Sequence, residues 1–388
     1  MNPSVCLTLS KSKKYYRSLI RTSIILSFGL SVGLFYAQPA LSQVKEGLSE
    51  QDGPYVLYGE GTSKLIQVRA GKLETSALPN KASLSVMTEN GQHHFEVALH
   101  PIKKPDWSYK SKGDILVLSD PHADFESFYS ILRAQQVIGG NYQWTFGKNQ
   151  LVIIGDVFDR GVDVLPIFWL IYKLEAEAEK AGGKVHFLFG NHEEMILREN
   201  LKYNESKYLA LKDKLGMEYR DLWSANSELG RWLLSRNTME KIGDRLFVHA
   251  GLSSQLLTDK WTIPAVNDSV RNNIFKTKAE REQSPAAKFL FGSIGPLWYR
   301  GMVRDEEKYE PLAEQDLQKL LVYYGVKEVY VGHTIFPEVT TFYANRVFAV
   351  NVNNRSNREK GRSRGLLLRK GKTYLIFDDP TKNIEIDK

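Results

Sequence analysis

Val185-His186-Phe187-Leu188-Phe189 runs into Gly190-Asn191-His192-Glu193 and then into charged text of helical character. An apolar run that closes on glycine and passes at once into polar residues reads as a strand tip, where α/β enzymes carry their chemistry. Asn offers a weak neutral oxygen ligand, and the adjacent His can act as an acid, so two neighbours can attend a metal and a leaving group separately. Alone, the tetrapeptide is equally a glycine turn with Asn as helix cap and a surface His.

The pattern recurs. Leu151-Val152-Ile153-Ile154 leads into Gly155-Asp156-Val157-Phe158-Asp159-Arg160-Gly161, and residues 114–118 lead into Ser119-Asp120-Pro121-His122-Ala123-Asp124. Leu246-Phe247-Val248 ends at His249-Ala250-Gly251, and Val329-Tyr330-Val331 at Gly332-His333-Thr334. Five strand tips thus carry Asp, Asn or His, more than independent capped turns account for. Of the eight His, the four at these tips are candidates; His93, His94, His100 and His186 read as core or surface residues. Between the strands, residues 125–136 and 164–179 place apolar residues at helical spacing, as with Leu165, Phe168, Leu170, Ile171 and Leu174. Strand, tip and helix in alternation predict an α/β sandwich.

These tips resemble the phosphoprotein phosphatase family of calcineurin-like metallophosphoesterases, whose motifs are GDxHG, GDxxDRG, GNHE, HGG or HAG, and GH. The resemblance covers residues 114–352. It is nearest to the bacterial Shewanella-like branch, on the grounds of Gly295-Pro296-Leu297-Trp298-Tyr299-Arg300-Gly301, the run from Gly230 to Thr238, and the lack of a SAPNYC motif. Ser119 and Ala123 stand where the family usually has glycine, and Phe189 where many members have arginine. Ser and Ala are small enough for a tight turn.

The resemblance implies a β-sandwich flanked by helices and a hydrolase for phosphate monoesters that uses two divalent or trivalent ions, Mn, Fe or Zn. Asp120, His122 and Asp156 would hold one ion, and Asp156, Asn191, His249 and His333 the other, with a hydroxide between the ions attacking phosphorus in line. Arg160 and Arg300, with Asn191, would bind the substrate phosphate. His192 would be the general acid, oriented by Asp159, and Glu193 a support. The implied substrate is a phosphorylated protein or peptide, with phosphotyrosine as one candidate. A nucleotide or dinucleotide polyphosphate hydrolase of the same fold is the alternative, and a phosphopeptide-binding module without catalysis is a third.

The rest of the chain frames this centre. At 388 residues it exceeds one ordinary domain. Residues 1–42 hold Lys11, Lys13, Lys14, Arg17 and Arg21 without an acid, then an apolar run and a small-residue pattern at Ala40 and Ser42, which reads as a secretory signal peptide cleaved before Gln43. Export to the periplasm or beyond, without stable membrane insertion after cleavage, is the expectation. Removing those five bases from the net charge of +7 leaves +2, so no nucleic-acid footprint is expected. The single Cys, Cys6, lies in the same segment, which excludes a cysteine nucleophile from the mature chain. Residues 43–105 read as a small all-β N-terminal domain, with Asn90-Gly91 as a hairpin turn, and residues 106–388 as the catalytic domain. Residues 195–242 read as mainly helical. Residues 267–285 read as a polar mobile loop, and basic residues 353–364 as a cleft-mouth loop or plain surface. His93 and His94 read as a solvated turn.

Overall fold

The computed structural model describes residues 47–78 and 83–386; the expected signal peptide lies outside them. Two six-stranded sheets form the catalytic sandwich. One has the order Ile384–Glu385, Lys372–Ile376, Gly365–Arg369, Ile115–Leu118, Gln150–Ile153, Lys184–Phe187; the other runs Thr340–Phe342, Val347–Ala349, Glu328–Val331, Arg245–Val248, Met239–Ile242, Ser108–Tyr109. The strands Ile115–Leu118, Gln150–Ile153 and Lys184–Phe187 are mutually parallel, as are Arg245–Val248, Glu328–Val331 and Val347–Ala349.

Their near-continuous apolar text has a direct cause: both faces are buried. Ile115, Val117, Val152, Ile154, Phe247 and Tyr330 point between the sheets, while Leu116, Leu118, Leu151, Ile153, Leu246 and Val329 pack under the helices. Successive side chains alternate between the two cores, as strand geometry requires. The main covering helix, Val164–Ala181, is buried along most of its length and ends on Gly182 at φ 78°, the left-handed cap that glycine adopts without strain.

The N-terminal segment forms an antiparallel sheet of Gln51–Gly59, Thr62–Arg69 and Lys72–Ala77, and a hairpin of Ser83–Met87 with His94–Ala98 around Asn90-Gly91. Its apolar residues Tyr55, Val56, Ile66, Val86 and Phe95 belong to the same buried cluster as helix Val164–Ala181. Polar ties fix it there. Trp169 Nε1 donates to Pro54 O (2.9 Å) and the Tyr58 amide to Asn226 O (2.7 Å). Tyr58 and Tyr172 each donate to the buried Glu228 carboxylate at 2.7 Å.

Four expectations are corrected. Residues 267–285 are helical, in Ile263–Asn273, Lys278–Glu282 and Pro285–Leu290, because Thr262, Thr277 and Ser284 each cap a helix by accepting a backbone N–H. The Asn267 side chain accepts from the Thr238 and Met239 amides, and buried Arg281 pairs with Glu194. Met239–Ile242, read within a helical stretch, is a strand pairing with Arg245–Val248. His93, read as part of a solvated turn, is buried against Phe125 and Tyr129, with Nε2 2.7 Å from Glu126 and Nδ1 3.0 Å from the Tyr142 hydroxyl. The basic stretch 353–364 divides: Asn354–Glu359 is a helix, and Arg364 is buried against Asp378 (2.6 Å).

Glu228→Ala is expected to destabilise the protein by about 1–3 kcal/mol in denaturant unfolding, since it removes the acceptor of the Tyr58 hydroxyl and one of the two acceptors at Tyr172, which keeps His100 O at 2.9 Å. Hydrogen exchange should rise most across Gln51–Gly59. A change below about 0.5 kcal/mol would show that the carboxylate does not anchor this sheet.

Candidate metal centre and active site

The parallel strands of both sheets end at one edge, and the five tips meet there. Their backbone is unusual. Asp120, His122, Ala123, Asp156, Asp159, Arg160 and His333 all have φ between 43° and 69°, the left-handed region that costs a non-glycine residue about 1–2 kcal/mol. Such conformations persist only where the surroundings impose them, and they gather at functional sites.

Glu193 does much of the imposing. Fully buried, it accepts from the Gly190 and Asp156 amides through Oε2 and from the Val157 amide through Oε1, each at 2.8 Å. One carboxylate therefore locks the tip after Lys184–Phe187 to the tip after Gln150–Ile153. The approach is so close that a Cβ on Gly190 would overlap Asp156 Oδ1 and lie 2.7 Å from the Asp156 nitrogen.

Inside this frame, lone pairs face one another. His249 donates through Nδ1 to Ile154 O (2.9 Å), which turns Nε2 towards Asp156 Oδ2 (3.2 Å) and Asn191 Oδ1 (2.9 Å). His333 Nδ1 lies 2.7 Å from the same Asn191 oxygen, and its buried Nε2 has no hydrogen-bond partner. His122 donates through Nδ1 to Phe158 O (2.9 Å), leaving Nε2 free to ligate. Ligand atoms converge within 4.8 Å in two sets, one of His122, Asp156 and His192 and the other of Asp156, His249 and His333. Acceptors packed so closely repel unless a proton or cation sits between them, and a thiolate-free set of imidazole, carboxylate and amide oxygen fits a first-row divalent ion. Asp156, common to both sets, stands where a shared ligand would.

Asp120 lies beside these sets. Its carboxylate accepts from Ser119 Oγ, from the His333 amide (3.1 Å) and from Asn351 Nδ2 (2.9 Å). His192 belongs to the first set, yet its Nδ1 is engaged by Asp159 Oδ2 at 2.5 Å, and its Nε2 is 3.9 Å from Asp156. The potentials follow the geometry. Burial would raise Asp156, but His249, His192 and His122 outweigh it and hold the carboxyl well below the usual range. Burial, then the Asp156 charge, pushes Asp120 up to about 7. Burial drives His122 down to about 3. For His192 burial again acts downward, but the Asp156 and Asp159 carboxylates prevail and raise its pKa.

Both arginines border the centre. Arg300, half-buried, donates to Thr334 Oγ1 at 2.9 Å. Arg160 is exposed, with its guanidinium 5.5 Å from the Tyr203 ring centroid. Arg160 lines a cleft of about 270 Å³ with Asp120, His122, Ile335, Asn351 and Arg355.

Sequence reasoning missed Asn351, Asn354, Tyr203 and Thr334. Asn354 Nδ2 donates to Ser119 O (3.4 Å) and Asp120 O (3.3 Å). A signal existed for two of them: the strand Val347–Ala349 runs into Asn351-Val352-Asn353-Asn354, a sixth tip of the same kind. Tyr203 had none, lying in irregular backbone eleven residues after His192.

A family model described as calcineurin-like phosphoesterase matches residues 113–337, a span that contains all ten candidate residues. The chain belongs to the calcineurin-like phosphoesterases. This phosphoesterase is 30% identical to Shewanella-like protein phosphatase 1 of Plasmodium berghei over 264 residues, 64% of this chain and 71% of that one. It is 25% identical to Shewanella-like protein phosphatase 2 of Arabidopsis thaliana over 271 residues, 57% of this chain and 66% of that one. Among solved structures, a cold-active protein-tyrosine phosphatase of a psychrophilic Shewanella species superposes with a TM-score of 0.78 at 30% identity, covering 87% of this chain and 100% of that one.

Gly190→Ala should lower phosphoesterase activity by about 10²-fold or more, since displacing the Asn191 and Asp156 tips by as little as 1 Å suffices for that. Activity within about twofold of the parent protein would show that the two tips tolerate separation.

Proposed function

We propose that this phosphatase is an exported, two-metal phosphomonoesterase acting on phosphoproteins, with tyrosine phosphate as its preferred group. The observation that carries the reading is the Asp156 carboxylate, shared by two converging donor sets and flanked by two arginines and a carboxylate-supported imidazole. Similarity across the full length of a protein-tyrosine phosphatase supports the substrate class, and the basic, then apolar N-terminus supports export.

His122, Asp156 and Asp120 are assigned to one ion, and Asp156, Asn191, His249 and His333 to the other. Bound there, the ions would neutralise phosphoryl charge and supply a nucleophile at neutral pH. Arg160 and Arg300 hold the phosphoryl oxygens; the guanidinium fork suits two oxygens at once, which an ammonium cannot match. Asn191 can also present its amide nitrogen to the phosphate while its oxygen faces His249 and His333. His192 protonates the leaving oxygen through Nε2. Asp159 fixes the tautomer by holding Nδ1–H and favours the charged ring.

His192→Ala should slow turnover by about 10²–10⁴-fold with metal content retained by elemental analysis, whereas Asn191→Ala should lose an ion. The loss at His192 should be smallest for nitrophenyl phosphate, whose leaving group needs little protonation. Loss of one metal equivalent in His192→Ala would instead make it a ligand. Because the Asp156 and Asp159 carboxylates raise the His192 pKa against burial, the protonated donor persists to higher pH than a free imidazole would, and activity should fall as pH rises through that pKa. Asp159→Asn removes one carboxylate that raises it and should move this alkaline limb to lower pH; an unmoved limb would dissociate it from His192.

Export is tested by the chain end: protein from the native host should begin near Gln43 and lie outside the cytoplasm. An intact Met1 in the cytoplasmic fraction would overturn it.

A further inference from the structure

We propose that Tyr203 makes this cleft select phosphotyrosine, by packing its ring against the phenyl ring of the leaving group. The inference rests on the phosphatase reading with His192 as proton donor. A donor must come within about 2.6–3.2 Å of the oxygen it protonates. In phosphotyrosine that oxygen is bonded directly to an aromatic ring, so the ring is held next to the imidazole; in phosphoserine a methylene takes its place. Whatever flanks His192 therefore meets either a flat apolar surface or one carbon.

His122, assigned to an ion, has its ring 4.8 Å from that of His192, and the other ring beside it is Tyr203. The His192 and Tyr203 rings lie 5.5 Å apart, centroid to centroid, inclined by 46°, so a phenyl ring bonded to an oxygen at His192 can reach Tyr203 within the 4.5–7 Å range at which aromatic pairs attract. Tyr203 is well anchored beside Arg160. Its carbonyl accepts from the Arg160 amide at 3.1 Å, and the Arg160 guanidinium lies 5.5 Å from its ring centroid. Yet the residue remains 40% exposed.

Only eight large hydrophobic side chains are exposed among the described residues, and two are in this neighbourhood: Tyr203, and Ile335 at 47%, which lines the cleft with Arg160 and His122. The exposed apolar surface at an otherwise charged centre has the chemistry of a phenyl-binding wall. A phosphoseryl group leaves that wall unfilled.

The test compares kcat/KM for two peptides of one sequence carrying phosphotyrosine or phosphoserine, using metal-loaded full chain. The parent protein should favour phosphotyrosine. Tyr203→Ala should lower the phosphotyrosine-to-phosphoserine ratio about tenfold, while Tyr203→Phe, which keeps the ring, should preserve it. Equal losses on both peptides would overturn the proposal and reduce Tyr203 to a prop for Arg160, as would a parent preference for phosphoserine. If the parent hydrolyses neither peptide, the phosphatase reading fails first; if it hydrolyses both and the ratio does not move in Tyr203→Ala, only the role of Tyr203 fails.

Discussion

A carboxylate buried without a cation against it is costly unless backbone amides surround it, and Glu193 meets that condition with three. The constraint acts in both directions. The amides of Gly190, Asp156 and Val157 could not otherwise be satisfied in a water-poor edge, and those of Asp156 and Val157 offset part of the burial and Asp156 repulsion that raise the Glu193 pKa to about 7. The left-handed backbone at Asp156, the close pass of Gly190 and the inward aim of Asn191 and His192 all depend on this one group. Its position next to His192 in sequence lets a single helical turn deliver Asn191, His192 and the brace for a neighbouring loop.

The second support is Asp156. It is pulled between burial, which favours the neutral acid, and three imidazoles, which favour the anion. The imidazoles prevail and hold the carboxyl well below the usual carboxylate range. Asp120, without comparable positive partners, is pushed the other way by the same charge. Two aspartates at neighbouring tips thus differ in proton affinity through surroundings alone.

Most of this edge was legible in the sequence, and the reason is the sandwich. Strands buried on both faces must be apolar at every position, so their ends stand out wherever polar residues begin, and the tips at Asp120, Asp156, Asn191, His249 and His333 could be numbered directly. The Asn351 tip passed unnoticed because neither glycine, carboxylate nor imidazole marks it; its part is to hold Asp120 by an amide. Residues 267–285 misled for a different reason. Their polar composition describes their outer face, whereas three Ser and Thr caps and one buried Arg281–Glu194 pair set their conformation. His93 misled because its burial is supplied by residues 30 to 50 positions away, Phe125, Tyr129 and Tyr142, and no local pattern encodes that.

The converging tips come from both sheets: Asp120, Asp156 and Asn191 extend from one, His249 and His333 from the other. Elsewhere in the sandwich the sheets meet through apolar packing, with a buried polar link where His186 Nδ1 lies 2.7 Å from Glu240, and apolar contacts resist separation without fixing direction. An ion bound across these tips would act as a rivet between two layers, present only in the native state and adding stability as RT ln(1 + [L]/Kd). The lifetime of the folded enzyme would then track the supply of metal in its surroundings, so a compartment starved of the ion would lose the protein itself as well as its activity.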